Sequence, residues 1–383
     1  MKKLRVAIIA CGFTGQQHVE AVRRIPGTEV VAISDTNPEL LRKKAEALGI
    51  ENTFDDYKAM IDLAKPDIVH NCTPNAMHFE TNKYVMKKGI HVYCEKPLAV
   101  SKEQGIELVK IAKSLGIATG VNFNYRHNAM VQEIRQLIKN GDAGQPMLVH
   151  GQYLQDWLMY DTDYNWRLAS EIGGASRAVA DIGSHWFDTA QCVLDRKIEA
   201  VWAKLITVHP TRKKPRQEVE TFVHSKGEYD SVTILSEDVG FIIVRFEGNL
   251  FGNLILSQVS GGHKNNLRIE VDAQRYSMQW KQENSDCLYI GTRENGTRKL
   301  QASPDTVHES IMRYATLPGG HSVAWSDALR NGIGEFYSAV RAGSYAEENR
   351  TYADFNDGLE LIKLTEACIL SNQIGNWVEI RNL

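Results

Sequence analysis

Leu4-Arg5-Val6-Ala7-Ile8-Ile9-Ala10-Cys11-Gly12-Phe13-Thr14-Gly15 is the stretch on which the fold turns. Its apolar run, Val6 to Cys11, is far shorter than the ~20 residues of a membrane-spanning helix and reads as a buried strand. A helical pattern, Gly15–Ile25, follows. In a strand–turn–helix of this kind the first helical amides lack partners and carry the positive end of the helix dipole, so the turn suits a pyrophosphate. Gly12 lets backbone approach such a ligand, and Gly15 lets the helix pack closely on the sheet. The next apolar run, Glu29–Asp35, ends in a carboxylate twenty residues after Gly15. There an acid accepts hydrogen bonds from ribose hydroxyls and repels a 2′-phosphate. Thr36 and Asn37 follow it, with no adjacent Arg or Lys, so NAD is expected in preference to NADP. One position departs from the usual pattern: Ala10 stands where a first glycine is common. Because alanine avoids left-handed backbone, the turn is expected to run at negative φ there.

Outward from this turn the rhythm of short apolar runs and helical patterns continues, with further strands at Asp67–Cys72, Ile90–Cys94 and Ile117–Val121. Helices are expected at Pro38–Leu48, Phe79–Lys88 and Ser101–Leu115, the last opening on the capping-box pair Ser101 and Gln104. Such alternation predicts a doubly wound parallel sheet over residues 1–125. Beyond Gln145-Pro146 strand follows strand: Met147–Gln155, Glu199–Val208, Ser231–Leu235, Gly240–Phe246, Leu250–Val259, Leu267–Val271, Ser277–Lys281 and Leu288–Gly291. Period-two alternation with little helix between predicts one large, mainly antiparallel sheet in a second domain, 126–383. Thr211–Gly227, rich in charge, reads as an exposed loop, and late helices are expected near Gly332–Arg341 and Asp357–Asn372.

Two domains also suit 383 residues, since single cores stop growing at roughly 250–300. With 44 basic and 47 acidic residues and no block of like charge, the chain has no nucleic-acid footprint. No apolar stretch predicts a membrane partner. Six scattered cysteines, never Cys-x-x-Cys, speak against a disulfide framework and a zinc ribbon, so the expectation is a cytoplasmic protein without a metal.

Four further segments are distinctive: Thr73-Pro74-Asn75 with His78; Glu95-Lys96-Pro97; Trp166-Arg167 ahead of Gly173-Gly174; and Asp181-x-Gly183-x-His185-x-x-Asp188. With Gly12, Gly15, His18 and Tyr352-x-Asp354-x-x-Asp357-Gly358, they resemble the Gfo/Idh/MocA family along nearly the whole chain. The resemblance implies an N-terminal Rossmann domain and a C-terminal domain whose open-faced sheet builds dimers or tetramers. It also implies NAD(P)-dependent dehydrogenase activity on sugars, inositols and related polyols. Gln155–Leu158 and Tyr164–Arg167 look most like the sugar and anhydrosugar branch.

Oxidising a secondary alcohol needs a base for the hydroxyl proton while hydride leaves the carbon. Lys96 follows the fourth strand, where open parallel sheets place ligands. A free lysine, with pKa about 10.4, is a poor base near neutrality, although desolvation lowers it and its cation stabilises an alkoxide. Asp181 and His185, four apart, share one side if Gly183–Leu194 is helical, which lets the acid orient the imidazole. The same spacing serves a helix cap with a packed histidine, and a zinc site lacks its third ligand. The resemblance makes Lys96, Asp181 and His185 catalytic. On the cofactor side it places Phe13 and Thr14 with the two glycines, together with Thr73, Asn75, His78, Glu95, Lys96, Arg126, Trp166 and Arg167. Substrate is expected against Lys96, Tyr125, Trp157, Tyr164, Asp181 and His185. Asp161, Asp163 and Asn165 are candidates to grip hydroxyls. Two other functions compete: an NAD-dependent glycosidase acting through transient oxidation, and a non-catalytic cofactor-sensing regulator.

Overall fold

Each apolar run of the first third of the chain is followed by a helix that covers it. The structure is a computed structural model describing residues 3–216, 228–345 and 350–383. It runs β1 (Leu4–Ile9), α1 (Phe13–Arg23), β2 (Thr28–Ser34), α2 (Pro38–Leu48), β3 (Thr53–Phe54), α3 (Tyr57–Ala64), β4 (Ile68–Asn71), α4 (His78–Lys87), β5 (His91–Cys94), α5 (Lys102–Leu115) and β6 (Thr119–Val121). The strands pair in parallel in the order β3-β2-β1-β4-β5-β6, a Rossmann arrangement. The order reverses between β1 and β4, and ligands of such sheets bind outside the carboxyl ends of the strands at that place. Local chemistry fixes the helix ends. Asn37 accepts the amides of Glu39 and Leu40 to start α2, and Ser101 accepts that of Gln104 to start α5. Gly49 and Gly116 close the two helices in the left-handed conformation.

The chain continues with α6 (Ala129–Lys139), β7 (Pro146–Leu154), α7 (Ser170–Gly173), a π-helical turn (Val179–Gly183), α8 (Ser184–Leu194), β8 (Ile198–Ile206), β9 (Thr211–Pro215), β10 (Tyr229–Thr233), β11 (Val239–Phe246), β12 (Leu250–Ser257), β13 (Asn266–Ala273), β14 (Ser277–Lys281), β15 (Cys287–Thr292) and β16 (Gly296–Gln301), with β17 (Val378–Glu379) near the end. Nine strands form one sheet in the order β16-β15-β14-β13-β7-β12-β11-β8-β17. All neighbours are antiparallel except β12 and β7. Strict alternation gives it two unlike faces. Ile242, Val244, Leu254 and Leu256 are buried, whereas Phe241, Ile243, Phe251 and Ile255 are exposed. On the buried face Gly151 makes room for α8, because a Cβ there would lie 2.4 Å from Trp186 Nε1. Trp186 instead donates to the Arg268 carbonyl, at 3.2 Å.

The exposed loop expected over Thr211–Gly227 is corrected for its first part. Thr211–Pro215 is a strand, paired antiparallel with β10, and 217–227 lie outside the described residues. The charges that suggest a loop hide a buried function. Arg212 is 1% exposed and donates to the carbonyls of Leu158, Tyr160 and Asp163 and to Asp238.

Two late helices, α9 (Trp325–Ala342) and α10 (Phe355–Ile374), complete the chain. The compact units are Met1–Asn124 with Ser326–Glu360, and Tyr125–Trp325 with Leu361–Leu383. The second domain read from sequence as 126–383 is therefore interrupted. Residues 326–360 return to the first unit because α9 brings Phe336 and Tyr337 onto it. The Phe336 and Tyr93 rings lie 5.4 Å apart, beside Gly120, whose Cβ would stand 2.5 Å from Tyr93. Among the described residues no helix is long and apolar enough to cross a membrane.

Candidate active site

The glycine turn has the form a dinucleotide requires. A Cβ on Gly15 would lie 2.0 Å from the Ala10 carbonyl oxygen, so only glycine lets α1 come this close to β1. A Cβ on Gly12 would meet nothing within 4 Å, leaving a cradle that an incoming phosphate can approach. No side chain caps α1, and no acid lies in its first turn. The amides of Phe13, Thr14 and Gly15 thus face outward with the helix dipole behind them. Phe13 is 55% exposed beside them. The expectation for Ala10 is overturned: its φ is +70°, in the left-handed region. Ala10 donates its amide to the Ser34 carbonyl at 2.8 Å, and this tie to β2, with the close approach of Gly15, forces the turn that glycine would make without strain. Asp35 grips the same turn, its Oδ2 accepting the Cys11 amide at 2.8 Å and its Oδ1 that of Asn37 at 2.9 Å.

Beyond β5 stands Lys96, half-buried and joined to Pro97 by a cis bond. Its neighbour Glu95 is buried and anchors a polar chain through the unit. Oε1 accepts from Asn122 (2.8 Å) and from His18 Nε2 (2.9 Å), while Oε2 accepts the Lys96 amide at 3.3 Å. His18 Nδ1 meets His70 Nδ1 at 2.7 Å, and His70 Nε2 meets the Tyr337 hydroxyl at 2.7 Å. Burial alone would raise the Glu95 pKa, but the hydrogen bond and charge of His18, then Asn122 and Lys96, hold it down to about 2. His70 is pushed well below its ordinary value, first by burial and then by His18.

Thr73 and Asn75 follow β4 as expected, but His78 faces inward. Its ring is fully buried, with Nδ1 at 2.6 Å from the Pro97 carbonyl and Nε2 at 2.7 Å from that of Thr73. His78 thereby ties the turn after β4 to the one after β5, and its side chain offers no surface to a ligand.

In the second unit Asp181 lies in the π turn and His185 in the first turn of α8. Tyr125 meets the His185 ring edge-on, with centroids 4.8 Å apart. The Tyr125 hydroxyl lies 2.9 Å from that of Tyr153, and both contact Asn265. Both tyrosines are raised in pKa, chiefly by burial and in part by the negative charge of Asp181, and their rings lie against that of His185. Arg167 Nε is 3.5 Å from Asp181 Oδ1 and its guanidinium stacks on Trp166 at 4.3 Å. Gly173 permits this, since a Cβ there would strike the Arg167 carbonyl at 2.4 Å. Gln258 donates to Asp181 Oδ2 at 2.8 Å. Arg126 forks onto Asp188 through Nε and Nη2, which makes it a brace between its turn and α8.

Other aromatic and acidic candidates serve their own loop. Trp157 and Tyr164 pack on Leu158, Leu168 and Ile234. Asp161 pairs with Lys213 at 3.0 Å, Asp163 accepts the Tyr160 amide, and Asn165 accepts from Arg167. Sequence reasoning passed over Tyr153, Asn265, Gln258 and Arg177. Nothing in the spacing of Tyr153, Asn265 and Gln258 announces them, because they meet Tyr125 or Asp181 from elements far apart in sequence, and Arg177, although close to Asp181 in sequence, reaches it through Gln258.

Comparison with known proteins agrees with this geometry. Residues 4–123 match the GFO/IDH/MocA model described as an oxidoreductase family with an NAD-binding Rossmann fold. Residues 131–279 match the GFO/IDH/MocA C-terminal domain. A levoglucosan dehydrogenase of Pseudarthrobacter phenanthrenivorans is 26% identical over 99% of both chains. The D-glucoside 3-dehydrogenase of Escherichia coli is 30% identical over 63% of this chain and 67% of its own. A solved levoglucosan dehydrogenase in complex with NADH and levoglucosan superimposes with a TM-score of 0.88 at 25% identity, covering 99% of this chain and 100% of the other. The chain belongs to the GFO/IDH/MocA family of NAD-binding oxidoreductases.

Proposed function

We propose that this enzyme is a dehydrogenase that oxidises a secondary hydroxyl of a sugar, anhydrosugar or cyclitol, with NAD preferred to NADP. The observation that carries the reading is the pairing, in one chain, of an uncapped glycine turn with an Asp181/His185/Tyr125/Tyr153 cluster of acid–base groups. The names of the relatives, levoglucosan dehydrogenase and D-glucoside 3-dehydrogenase, point to the same substrate class.

Bound at the turn, NAD would supply the acceptor for the hydride that leaves the carbinol carbon. The α1 amides and Gly12 hold phosphate, and Asp35 keeps the turn closed while its carboxylate repels a 2′-phosphate. Lys96 and His185 take up the hydroxyl proton and stabilise the alkoxide, with Asp181 orienting and balancing the imidazole. Tyr125 and Tyr153 confine the His185 ring. The exposed apolar side chains of β11 and β12, Phe241, Ile243, Phe251 and Ile255, suit self-association of the protein into a dimer or tetramer.

A panel of sugars and cyclitols offered with NAD and NADP, followed at the nicotinamide absorbance with product analysis, tests this. Net NADH equal to product is expected, and Asp35→Ser with Thr36→Arg should move preference toward NADP. Product without net NADH would instead reveal a glycosidase working by transient oxidation. NAD binding with no turnover would reveal a sensor.

A further inference from the structure

Gln258 directly follows β12 and is fully buried, in a place where an apolar side chain is the norm. A buried amide is tolerated only when its polar atoms are bonded, and here both ends meet charged groups. Arg177 Nη1 donates to Oε1 at 2.8 Å, and Nε2 donates to Asp181 Oδ2 at 2.8 Å. A guanidinium only donates and a carboxylate accepts, so the amide can stand in one orientation alone.

Arg177 is itself fixed. It is 2% exposed, its Nη2 bonds Asp238, and its Nε reaches Ser236 Oγ at 3.4 Å. Asp238 is shared with Arg212, so two buried cations meet one buried anion. Next to it, Glu237 accepts from Ser176 Oγ (2.7 Å), the Arg177 amide (3.1 Å) and the Val179 amide (2.8 Å). That carboxylate pins the start of the π turn that carries Asp181. The Arg177 guanidinium, donating directly to Oε1, polarises the Gln258 amide, which strengthens the N–H it presents to Asp181.

We infer that Gln258, oriented by Arg177, is a positioning residue that holds the Asp181 carboxylate in place. The inference rests on the role proposed above for Asp181. Arg167 from the Trp166–Leu168 turn pairs with Asp181 Oδ1, and the negative charge of Asp181 is felt by the Tyr125 and Tyr153 phenols, whose rings lie against that of His185 on α8. Behind Gln258 stand Arg177, Glu237, Asp238 and Arg212. Gln258 donates to Oδ2 while bonded to a buried cation.

The test compares wild type, Gln258→Met, Gln258→Glu and Asp181→Asn on the fastest substrate of the sugar and cyclitol panel, reading kcat against pH, NAD affinity and Tm. Methionine keeps volume and burial without the amide, so kcat should fall about ten- to a hundredfold while NAD affinity stays within about twofold. Glutamate still accepts from Arg177 but sets a second carboxylate against Asp181. The two must then share a proton, and the acid limb of kcat should move up by about one pH unit or more. If Gln258→Met loses its fold, the glutamate profile decides. Unchanged kcat and pH profile in the folded variants, with Asp181→Asn impaired, would overturn the inference and leave the proposed function standing. Normal turnover by Asp181→Asn would overturn the role of Asp181 and the inference with it.

Discussion

The glycine turn of the first unit and the Asp181/His185 cluster of the second are built by opposite means. The turn is written in backbone over a dozen consecutive residues: a strand, a missing Cβ at Gly12, a forced contact at Gly15 and a helix start that no side chain caps. The cluster is assembled from side chains most of which lie far apart in sequence: Tyr125, Tyr153, Arg167, Gln258 and Asn265 join the adjacent pair Asp181 and His185. A site made of backbone is insensitive to most side-chain changes away from its glycines, whereas a site made of a side-chain network fails when any one supporting member is removed.

That contrast gives its largest predicted effect at the reacting groups. Lys96→Met should lower kcat about 10²–10⁴-fold, the usual range for losing acid–base assistance, with NAD affinity little changed. Because groups acting as a unit are not additive, adding His185→Ala should cost little more, and steady-state kinetics on the same substrate checks both statements.

At the turn the two glycines should part ways. Gly15→Ala drives a methyl group into the Ala10 carbonyl at 2.0 Å, so thermal unfolding should show a loss of about 1–3 kcal/mol or more. Gly12→Ala, whose Cβ meets nothing within 4 Å, should leave Tm unchanged while calorimetric NAD affinity drops about tenfold or more. Equal loss of stability in both variants would break the distinction between a packing glycine and a ligand glycine.

The buried chain from Glu95 to Tyr337 shows that the first unit also depends on side chains below its backbone site. Glu95 titrates at about 2 in the folded protein, beneath the ~4.3 of an unfolded glutamate. A depressed carboxylate contributes stability that is fully present above the unfolded pKa and is lost as pH falls through the folded one. The contribution is on the order of 3 kcal/mol. Denaturant unfolding between about pH 5 and pH 2 should therefore be steeper for wild type than for Glu95→Gln. Parallel curves would mean that His18 and Asn122 do not favour the anion. The smallest effect belongs to Ala10. Relief of its left-handed strain, roughly 1–2 kcal/mol for a non-glycine residue less the entropy of an added glycine, should make Ala10→Gly more stable by up to about 1 kcal/mol in the same assay.

These differences also explain what was legible in the sequence. Local periodicity and capping placed α2 at Pro38–Leu48 and β14 at Ser277–Lys281 where the structure has them. The Rossmann strands and the large sheet followed from alternation that burial enforces. Conformation forced by neighbours was not legible: Ala10 accepts positive φ because β2 and α1 hold it there. Nor was β9, whose Arg212 reads as surface charge until the carbonyls it meets are known. The return of α9 to the first unit depends on Phe336 meeting Tyr93 beside Gly120, a pairing of positions more than two hundred residues apart. At the candidate site, Asp181 and His185 announce themselves by spacing. Gln258 and Arg177 resemble ordinary interior and surface residues until the fold brings them together.

Cofactor binding and proton transfer are thus assigned to separate residues of the chain. His185→Ala tests this separation most directly, with NAD titration and single-turnover NADH formation measured on the same preparation. Unchanged NAD affinity within about twofold and a single-turnover rate reduced by at least ~10²-fold is the predicted result. Loss of NAD binding in step with the rate, or a normal rate, would contradict it.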